Sequence, residues 1–259
     1  MSASGLEGKV AVVTGAARGI GFAIAAALTA QGVGVWLLDR REEELIAAAD
    51  RLGQPGTGRT LVVDHTKREE VDSAFARVVE ETGRPDVLVA NAGWAVYRPF
   101  LEIDPDHWGS VIDRNLTGTF HVAQAGAKVM TGHGSDRSIV LVSSISALTP
   151  TREFAHYAAA KAGIVALGRV MASELGPDGI RVNVLCPGYI ATSALASIPD
   201  RDAVVEKVAR GVPLGRFGTP EEVAATAVFL ASPAASFVNG AVLSISGGTE
   251  SLDLRSGSE

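Results

Sequence analysis

The chain of 259 residues has one cysteine, Cys186, so it can form no internal disulfide. Secreted domains of modest size often depend on disulfides, whereas a chain without them suits a reducing compartment. The first nine residues also lack the apolar centre of a secretory signal peptide. We therefore expect a cytoplasmic protein in which Cys186 packs within a strand.

Long apolar runs and dense clusters of basic residues are missing as well. A membrane-spanning helix needs about 18 to 20 apolar residues, and the nearest candidate, residues 223–238, is interrupted by Pro233. The net charge is −6, with no basic patch that would attract nucleic acid. The histidines show no spacing typical of metal ligands. We expect no membrane, nucleic acid or metal partner.

Aromatic residues are few, at 5%, whereas apolar residues together make up 47%. Most of the apolar residues are Val, Ile, Leu and Ala, which parallel strands buried on both faces require. Short apolar runs alternate with helical patterns along the chain. The predicted strands are Val10–Val13, Val33–Leu38, Thr60–Val63, Val87–Ala90, Ile139–Ser143, Arg181–Leu185 and Ala241–Ile245. The predicted helices cover residues 19–31, 41–51, 67–82, 104–130, 154–175, 201–210 and 220–231.

This alternation predicts an α/β fold with a doubly wound parallel sheet of about seven strands. Helices cover both faces, and a ligand binds beyond the carboxyl ends of the strands. No linker or repeat interrupts the pattern, so residues 1–259 are expected to form one domain. The polar residues 251–259 are expected to form a frayed tail.

The most informative motif is the glycine turn Thr14–Gly21, which follows the first predicted strand and opens the first helix. This order exposes backbone N–H groups and the positive end of a helix dipole to a pyrophosphate. Gly15 allows the tight turn, Gly19 lets the backbone approach the phosphates, and Gly21 allows close packing of helix on strand. The motif predicts a dinucleotide site.

Asp39 comes directly after the second predicted strand, 18 residues past Gly21. A dinucleotide fold places there the acid that binds the adenosine ribose hydroxyls. Arg18 and Arg40 flank the same pocket and could instead bind the 2′-phosphate of NADP. Like charges about 4 Å apart repel by about 4 kcal/mol at an effective dielectric of about 20. We therefore expect NAD, with NADP as the less favoured cofactor.

Tyr157 and Lys161 are four residues apart in a predicted helix, so both side chains lie on one face. A nearby ammonium favours phenolate, so Lys161 is expected to lower the pKa of Tyr157 and make it a general acid or base. Ser144 comes directly after the fifth predicted strand, and its hydroxyl can polarise a carbonyl beside the tyrosine. The alternative is an ordinary helix face for Tyr157 and Lys161, and a chain turn at Ser144.

Together these residues resemble the short-chain dehydrogenase/reductase family. The resemblance runs from Leu6 to Gly248 and includes three further motifs, which are Asn91-Ala92-Gly93, Asn115, and Pro187-Gly188 followed by Thr192. It implies a three-layer Rossmann-like fold and hydride transfer between a nicotinamide cofactor and an alcohol or ketone. It also implies a homotetramer, with the helix of Tyr157 and the preceding long helix in one interface and the C-terminal strand in the other.

The resemblance implies a role for each matching residue. Tyr157 would exchange the proton, Lys161 would also bind the nicotinamide ribose, and Ser144 would bind the substrate oxygen. Asn115 would complete the catalytic set by shaping a helix irregularity and holding a water. The residues expected to bind the cofactor are Gly15, Arg18, Gly19, Ile20, Gly21, Asp39, Arg40, Asp64, His65, Asn91, Ala92, Gly93, Tyr157, Lys161, Pro187, Gly188, Ile190 and Thr192. The expected role of Asp64 is to contact adenine, to cap the next helix, or both.

The substrate is expected beside Ser144, Trp94 and Tyr189, under a lid of about residues 189–215. Trp94 is either a wall of this site or part of the core, and His156 is expected on the helix surface. The first interpretation is an NAD-dependent dehydrogenase of secondary alcohols. One alternative is an NADPH-dependent reductase of 3-oxoacyl thioesters on acyl carrier protein, which usually lacks an acid at position 39. The other is a non-catalytic dinucleotide sensor, which has no need of a proton relay.

Overall fold

The computed structural model describes residues 5–53, 58–132, 136–192, 205–206 and 208–249. The middle of the predicted lid and the tail at 251–259 lie outside the described residues. So does most of the predicted helix 201–210, of which residues 205, 206, 208 and 209 are helical.

A single parallel sheet of seven strands forms the centre of the described fold, in the order β3-β2-β1-β4-β5-β6-β7. The strands are β1 (Val10–Thr14), β2 (Gly34–Asp39), β3 (Gly58–Val62), β4 (Val87–Ala90), β5 (Arg137–Val142), β6 (Ile180–Pro187) and β7 (Val242–Ile245). Each predicted strand is present, with ends that differ by at most two residues. The predicted α/β, Rossmann-like architecture is confirmed.

Seven α-helices accompany the sheet in the described residues. They are α1 (Gly19–Thr29), α2 (Glu42–Arg51), α3 (Arg68–Thr82), α4 (Pro105–Ile112), α5 (Gly118–Met130), α6 (Ala155–Leu175) and α7 (Pro220–Ala231). Helix α7 begins with a capping box, in which Thr219 accepts from the backbone N–H of Glu222 and the Glu222 carboxylate accepts from that of Thr219.

Two hydrophobic cores lie on the opposite faces of the sheet, giving three layers. Ala11 and Val13 of β1 belong to one core, together with α1 and α7. Val12, between them, belongs to the other, together with α3, α5 and α6. Successive strand residues point to opposite faces, so a strand between two helical layers must be apolar at every position. This explains the short continuous apolar runs in the sequence.

The predicted helix 104–130 is divided by a π-helical turn at Asp113–Thr117. The side chain of Asn115 causes the irregularity, because its Nδ2 donates to the carbonyl of Val111 at 2.9 Å. That carbonyl would otherwise accept the backbone N–H of Asn115 in a regular helix. A side chain inserted into the backbone ladder in this way is a recognised cause of helix irregularity.

The strand order reverses between β1 and β4, and the crevice at the carboxyl ends of these two strands is where such sheets bind ligands. Thr14, the last residue of β1, joins the two strands there. Its hydroxyl oxygen accepts hydrogen bonds from the backbone N–H groups of Asn91 at 3.0 Å and Ala92 at 3.1 Å. The fold therefore fixes the glycine turn and the Asn91-Ala92-Gly93 segment against each other.

Candidate functional site

A cavity of about 610 Å³ lies at the carboxyl ends of the strands. Most residues predicted to bind cofactor line it: Gly15, Arg18, Gly19, Ile20, Asp39, Arg40, Asp64, His65, Asn91, Ala92, Gly93, Tyr157, Lys161, Pro187, Gly188 and Thr192. Ser144 and Trp94 line it as well, whereas Gly21, Asn115, Tyr189 and Ile190 are outside its wall. The fold thus brings together residues separated by up to 177 positions of the sequence, from Gly15 to Thr192.

The glycine turn has the geometry that its sequence predicts. Gly15 and Gly19 have positive φ angles of 65° and 57°, which side chains rarely adopt. A Cβ on Gly21 would lie 2.1 Å from the carbonyl oxygen of Gly15, so only glycine lets α1 approach the turn so closely. Asn91 supports the turn from β4, since its Nδ2 donates to the carbonyl oxygens of Thr14 and Gly15 at 3.1 and 3.3 Å.

The start of α1 is suited to an anion. Arg18 precedes the helix without a side-chain cap, and no acidic residue lies in the first turn. The first N–H groups of a helix lack partners within it, and the helix dipole places partial positive charge there. The bare helix end beside the glycine turn therefore fits the pyrophosphate of a dinucleotide.

Asp39 is buried at the end of β2 and is already held by several donors. Its Oδ1 accepts from the backbone N–H of Arg41 at 3.1 Å and from the Arg41 Nε at 3.2 Å. Its Oδ2 accepts from Arg41 Nη2 at 3.2 Å and from the Ala17 N–H at 3.3 Å. The arginine that pairs with Asp39 is therefore Arg41 and not Arg40, a contact that the sequence analysis missed. Arg40 lines the cavity.

A second carboxylate, on Glu44 of α2, faces two of these arginines. Its Oε2 lies 3.6 Å from Arg41 Nε and 3.8 Å from Arg18 Nε. The adenosine end of the cavity thus carries three arginines and two carboxylates. Because Arg41 partly neutralises Asp39, a 2′-phosphate would meet less repulsion here than beside an unpaired carboxylate.

Asp64 and His65 line the cavity after β3. Asp64 does not cap α3, which begins at Arg68; its Oδ1 instead accepts from the N–H and hydroxyl of Thr66 at 3.0 and 2.7 Å. Burial raises the pKa of Asp64, but these hydrogen bonds outweigh it and the pKa is lowered overall. Burial lowers the pKa of His65, whose Nε2 lies 2.9 Å from the carbonyl oxygen of Arg114.

The other end of the cavity brings together Ser144, Tyr157 and Lys161. Ser144 follows β5, and Tyr157 and Lys161 lie on one face of α6, with the Lys161 Nζ 5.6 Å from the centroid of the Tyr157 ring. Lys161 is buried, and its Nζ donates to the carbonyl of Val142 at 3.1 Å. Ser143 supports the same helix by donating its hydroxyl to the Lys161 carbonyl at 2.8 Å.

The pKa values at this end differ from the sequence expectation. Burial raises the pKa of Tyr157 to about 12. The hydrogen bond with Ser144 lowers this pKa, but its effect is smaller than that of burial. Burial also lowers the pKa of Lys161 to about 8. The expected net lowering of the tyrosine pKa by Lys161 is wrong, because desolvation of Tyr157 is the larger effect. At neutral pH the arrangement holds a neutral phenol beside an ammonium.

Asn115 is fully buried in the π-helical turn and holds the segment after β4. Its Oδ1 accepts from the backbone N–H of Trp94 at 3.1 Å, and its Nδ2 donates to the Trp94 carbonyl at 2.8 Å. A Cβ on Gly93 would lie 2.9 Å from the Asn115 oxygen and 3.2 Å from Lys161 Nζ. Asn115 therefore contacts the wall of the cavity through Trp94, and Gly93 makes room for both polar side chains.

The structure decides between the two interpretations of Trp94, which is 39% exposed, lines the cavity and does not belong to the core. The guanidinium of Arg114 lies 5.0 Å from the centroid of its ring. The prediction that His156 lies on the helix surface is wrong. Its side chain is 0% exposed and stacks on His107 with 5.1 Å between ring centroids, because α4 packs against this end of α6.

Tyr189 and Ile190, predicted beside the substrate and the cofactor, do not line the cavity. Ile190 is buried in the core, and a Cβ on Gly218 would lie 2.8 Å from its Cδ1, so its side chain packs inward. Tyr189 is half-buried, with its ring 5.7 Å from that of Phe217. Cys186 is buried in β6, as the sequence analysis expects.

Neither a metal-binding cluster nor a membrane-spanning helix is present in the described part of the chain. Its His, Cys, Asp and Glu residues form no group of three or more that could hold a metal ion. None of its helices has the length and apolar character needed to cross a membrane.

Comparisons with known proteins agree with this architecture. The family model described as Enoyl-(Acyl carrier protein) reductase matches residues 15–250. The short-chain reductase protein NovJ of Streptomyces niveus is 39% identical over 248 residues, covering 93% of each chain. D-threitol dehydrogenase of Mycolicibacterium smegmatis is 40% identical, covering 94% of this chain and 93% of its own.

The 3-oxoacyl-[acyl-carrier-protein] reductase FabG of Chlamydia muridarum is 38% identical, covering 94% of this chain and 98% of its own. A short-chain type dehydrogenase/reductase from Mycobacterium marinum has the same fold in its crystal structure, with a TM-score of 0.88 and 34% identity. That match covers 94% of this chain and 96% of the other. Matches of this extent and identity confirm the resemblance found in the sequence, and the chain belongs to the short-chain dehydrogenase/reductase family.

Proposed function

We propose that the protein is an NAD(H)-dependent dehydrogenase of secondary alcohols, which also reduces the corresponding ketones. The observation that carries the proposal is the position of Tyr157, whose phenol lies between the Ser144 hydroxyl and the Lys161 ammonium at one end of a dinucleotide-sized cavity. As a member of its family, the chain is an oxidoreductase that acts on CH–OH groups with a nicotinamide dinucleotide.

A nicotinamide dinucleotide held in this cavity would supply the hydride chemistry, exchanging a hydride with the substrate carbon that bears the oxygen. Tyr157 takes up or donates the proton at the substrate oxygen. Its raised pKa keeps it protonated at neutral pH, which suits proton donation to a ketone. Ser144 binds the same oxygen where negative charge develops, and the positive charge of Lys161 stabilises the tyrosine oxygen as its proton leaves.

The opposite end of the cavity holds the adenosine in this proposal. Asp39 accepts hydrogen bonds from the ribose hydroxyls, the first turn of α1 binds the pyrophosphate, and Asp64 and His65 border the adenine. Asp39 supports NAD because its carboxylate would face the added phosphate of NADP at close range. The ion pair with Arg41 leaves the geometry of Asp39 fixed at the end of β2.

A second candidate is an NADPH-dependent reductase of 3-oxoacyl thioesters. The arginines at the adenosine end favour it, because Arg18, Arg40 and Arg41 surround the position of a 2′-phosphate and guanidinium groups bind phosphate in bidentate fashion. Similarity to FabG also supports it. Asp39 distinguishes the two candidates, since a carboxylate at this position opposes the phosphate.

The test is a spectrophotometric assay of NADH and NADPH oxidation with a panel of ketones, including cyclic ketones, ketoses and a 3-oxoacyl thioester. We expect turnover of a simple ketone with NADH and a lower kcat/KM with NADPH. Preference for NADPH together with the thioester supports the second candidate. Binding of either cofactor without turnover of any substrate would favour the non-catalytic sensor.

We also propose that the protein acts in the cytoplasm as a homotetramer. The single cysteine supports the compartment. Exposed apolar residues on α4, α5 and α6, among them Trp108, Phe120 and Val170, support the assembly.

A further inference from the structure

Aromatic rings continue outward from Tyr157 on the side away from the cofactor cavity. Lys161 lies on one side of Tyr157, and Phe154, three residues before it, lies on the other with its ring centroid at 5.2 Å. The ring of Tyr97 follows, 4.1 Å from that of Phe154. Phe154 and Tyr97 are absent from the wall of the cofactor cavity. We name Tyr157, Phe154 and Tyr97 the aromatic strip.

The two outer rings come from separate loops that a backbone contact holds together. The N–H of Arg98 donates to the carbonyl of Glu153 at 2.9 Å, which joins the neighbour of Tyr97 to the neighbour of Phe154. Glu153 itself has a φ of 68°, in the left-handed region that a side chain disfavours. Such a conformation persists where surrounding contacts hold it, and it is concentrated at functional sites. Here it turns the chain into the buried ring of Phe154.

The outer ring is accessible, since Tyr97 is 65% exposed. The chain has only three tyrosines, and two of them, Tyr157 and Tyr97, belong to the aromatic strip. This concentration contrasts with the low aromatic content of the chain as a whole.

We propose that the aromatic strip binds an aromatic ring attached to the reacting carbon, so that the substrate is an aryl carbinol or the matching aryl ketone. The inference rests on the proposed function and narrows its substrate class. In this proposal a carbonyl oxygen held by Ser144 and Tyr157 directs the adjoining substituent toward Tyr97, the exposed ring of the strip, while the buried Phe154 supports Tyr97 from behind. Offset or tilted ring contacts are favourable beyond the area they bury, and the observed pairs in the strip are tilted by 40° and 44°.

The reaction on such a substrate balances with the proposed cofactor. The carbinol carbon would lose its hydrogen as a hydride to NAD⁺, the Tyr157 phenol would release its own proton to solvent as it takes up the O–H proton of the alcohol, and a C=O double bond would form. The alcohol is oxidised by two electrons, and NAD⁺ is reduced to NADH. No other reactant is required.

The test compares 1-phenylethanol with 1-cyclohexylethanol, which have the same carbon skeleton and differ only in the aromaticity of the ring. We expect kcat/KM for the phenyl compound to be higher by about five-fold or more, in the range of one or two ring contacts. In Tyr97→Leu this ratio should fall toward one, whereas Tyr97→Phe should keep it. Phe100→Leu is the matched control, because Phe100 is exposed on the same segment and has no ring contact with the described residues.

The outcomes separate the inference from the proposed function. Equal kcat/KM for both alcohols, or a ratio that Tyr97→Leu leaves unchanged, overturns the aromatic strip as a substrate site. Activity with polyols but with neither ring compound also overturns the aromatic strip as a substrate site, although it agrees with the proposed function. Failure with every alcohol and ketone, while NAD still binds, overturns both.

Discussion

At the scale of single residues, the chemistry rests on the oxygen atom of Tyr157. Tyr157→Phe removes this oxygen and keeps the ring between Lys161 and Phe154. We expect turnover to fall by about two orders of magnitude or more, because general acid–base catalysis contributes about 10²–10⁴ in rate. NADH affinity, measured by fluorescence titration, should stay within a few-fold. A variant that keeps half of its activity would show that another group moves the proton.

The second prediction concerns Asp39 and the preference between NAD and NADP. Asp39→Ser should weaken NAD binding, because charge-assisted hydrogen bonds are worth about 1.5–3 kcal/mol. It should strengthen NADP binding, because Arg41 loses its carboxylate partner and Arg40 already lines the cavity. Since each 1.4 kcal/mol is about tenfold, the ratio of kcat/KM for the two cofactors should change by at least about a hundredfold.

The matched control for this change is Glu43→Gln, which removes a carboxylate from the exposed face of α2. Glu43 forms no ion pair with the described residues, whereas its neighbour Glu44 faces Arg18 and Arg41. The cofactor ratio of Glu43→Gln should equal that of the wild type. A wild-type preference for NADP, or an unchanged ratio in Asp39→Ser, would mean that the arginines govern cofactor choice.

Residues were predictable where local spacing alone sets their position. The glycine turn requires Gly15, Gly19 and Gly21 at fixed offsets, and one helix face fixes Tyr157 beside Lys161. The ion pair between Arg41 and Asp39 was not predictable, because two adjacent arginines have the same sequence signal and backbone direction decides between them. The buried His156 was missed for a related reason: its position on α6 does not reveal which helix packs over it.

At the scale of secondary-structure elements, α6 aligns two groups whose pKa values determine a pH profile. Lys161, with a pKa lowered to about 8, is charged below that pH and neutral above it. Tyr157, with a pKa raised to about 12, stays protonated through the same range. We therefore expect kcat/KM for ketone reduction to fall as pH rises above about 8, when the charge that stabilises the developing phenolate is lost.

Lys161→Arg provides the control for this profile, since a guanidinium remains charged. The falling limb should move to higher pH in this variant, whatever its absolute rate. If kcat/KM of the wild type does not change between neutral pH and the pH range above about 8, where Lys161 is uncharged, the role assigned to the charge of Lys161 is wrong.

The π-helical turn supports a further prediction. Asn115→Ala leaves the partly buried backbone groups of Trp94 and the buried Val111 carbonyl without their side-chain partner. Unsatisfied buried polar groups cost about 1–3 kcal/mol, so the free energy of unfolding in urea should fall by about that amount. Thr117→Ala, in the same turn but bonded only to exposed Asp113 through its side chain, should stay within about 0.5 kcal/mol of wild type. If Asn115→Ala and Thr117→Ala lose the same free energy of unfolding, the hydrogen bonds of Asn115 do not stabilise the fold.

The helices and strands were predictable because the helical periodicity and the continuous apolar runs are both strong in this sequence. Continuous apolar runs mark strands buried on two faces, and each described strand matches a predicted one. The hydrophobic pattern did not predict the division between α4 and α5, because residues 104–130 keep a helical pattern throughout; only the family resemblance implied an irregularity at Asn115. What interrupts the helix is a hydrogen bond from the Asn115 side chain, and that bond is stabilised by contacts with a distant loop at Trp94.

At the scale of the whole molecule, the small apolar residues exposed on the outer face of α6 predict that copies of the chain associate there. Ala159, Ala162 and Ala166 are exposed on one face and Val170 continues it, whereas Ala158, which the sequence analysis grouped with them, is buried. Small residues let two helices approach closely, and Phe120 on α5 adds apolar area beside them. Light scattering at micromolar concentration should give the mass of a tetramer.

Ala162→Arg should reduce that mass by placing charges in the interface, with Ala76→Arg, the same change on the exposed face of α3, as a control that keeps it. A monomeric wild type would contradict the assembly. A tetramer that Ala162→Arg leaves intact would place the interface elsewhere.

Strand order also sets how a growing chain builds its sheet. Synthesis delivers β1, β2 and β3 first, β4 then pairs with β1, and from β5 onward each new strand pairs with the strand made just before it. Until β7 leaves the ribosome, the exposed edge is β6, a strand of eight residues that are all buried in the finished protein. Such an edge is a template for pairing with other chains. Pairing of the four-residue β7 covers this edge, so we expect β7 to reduce aggregation of the nascent protein.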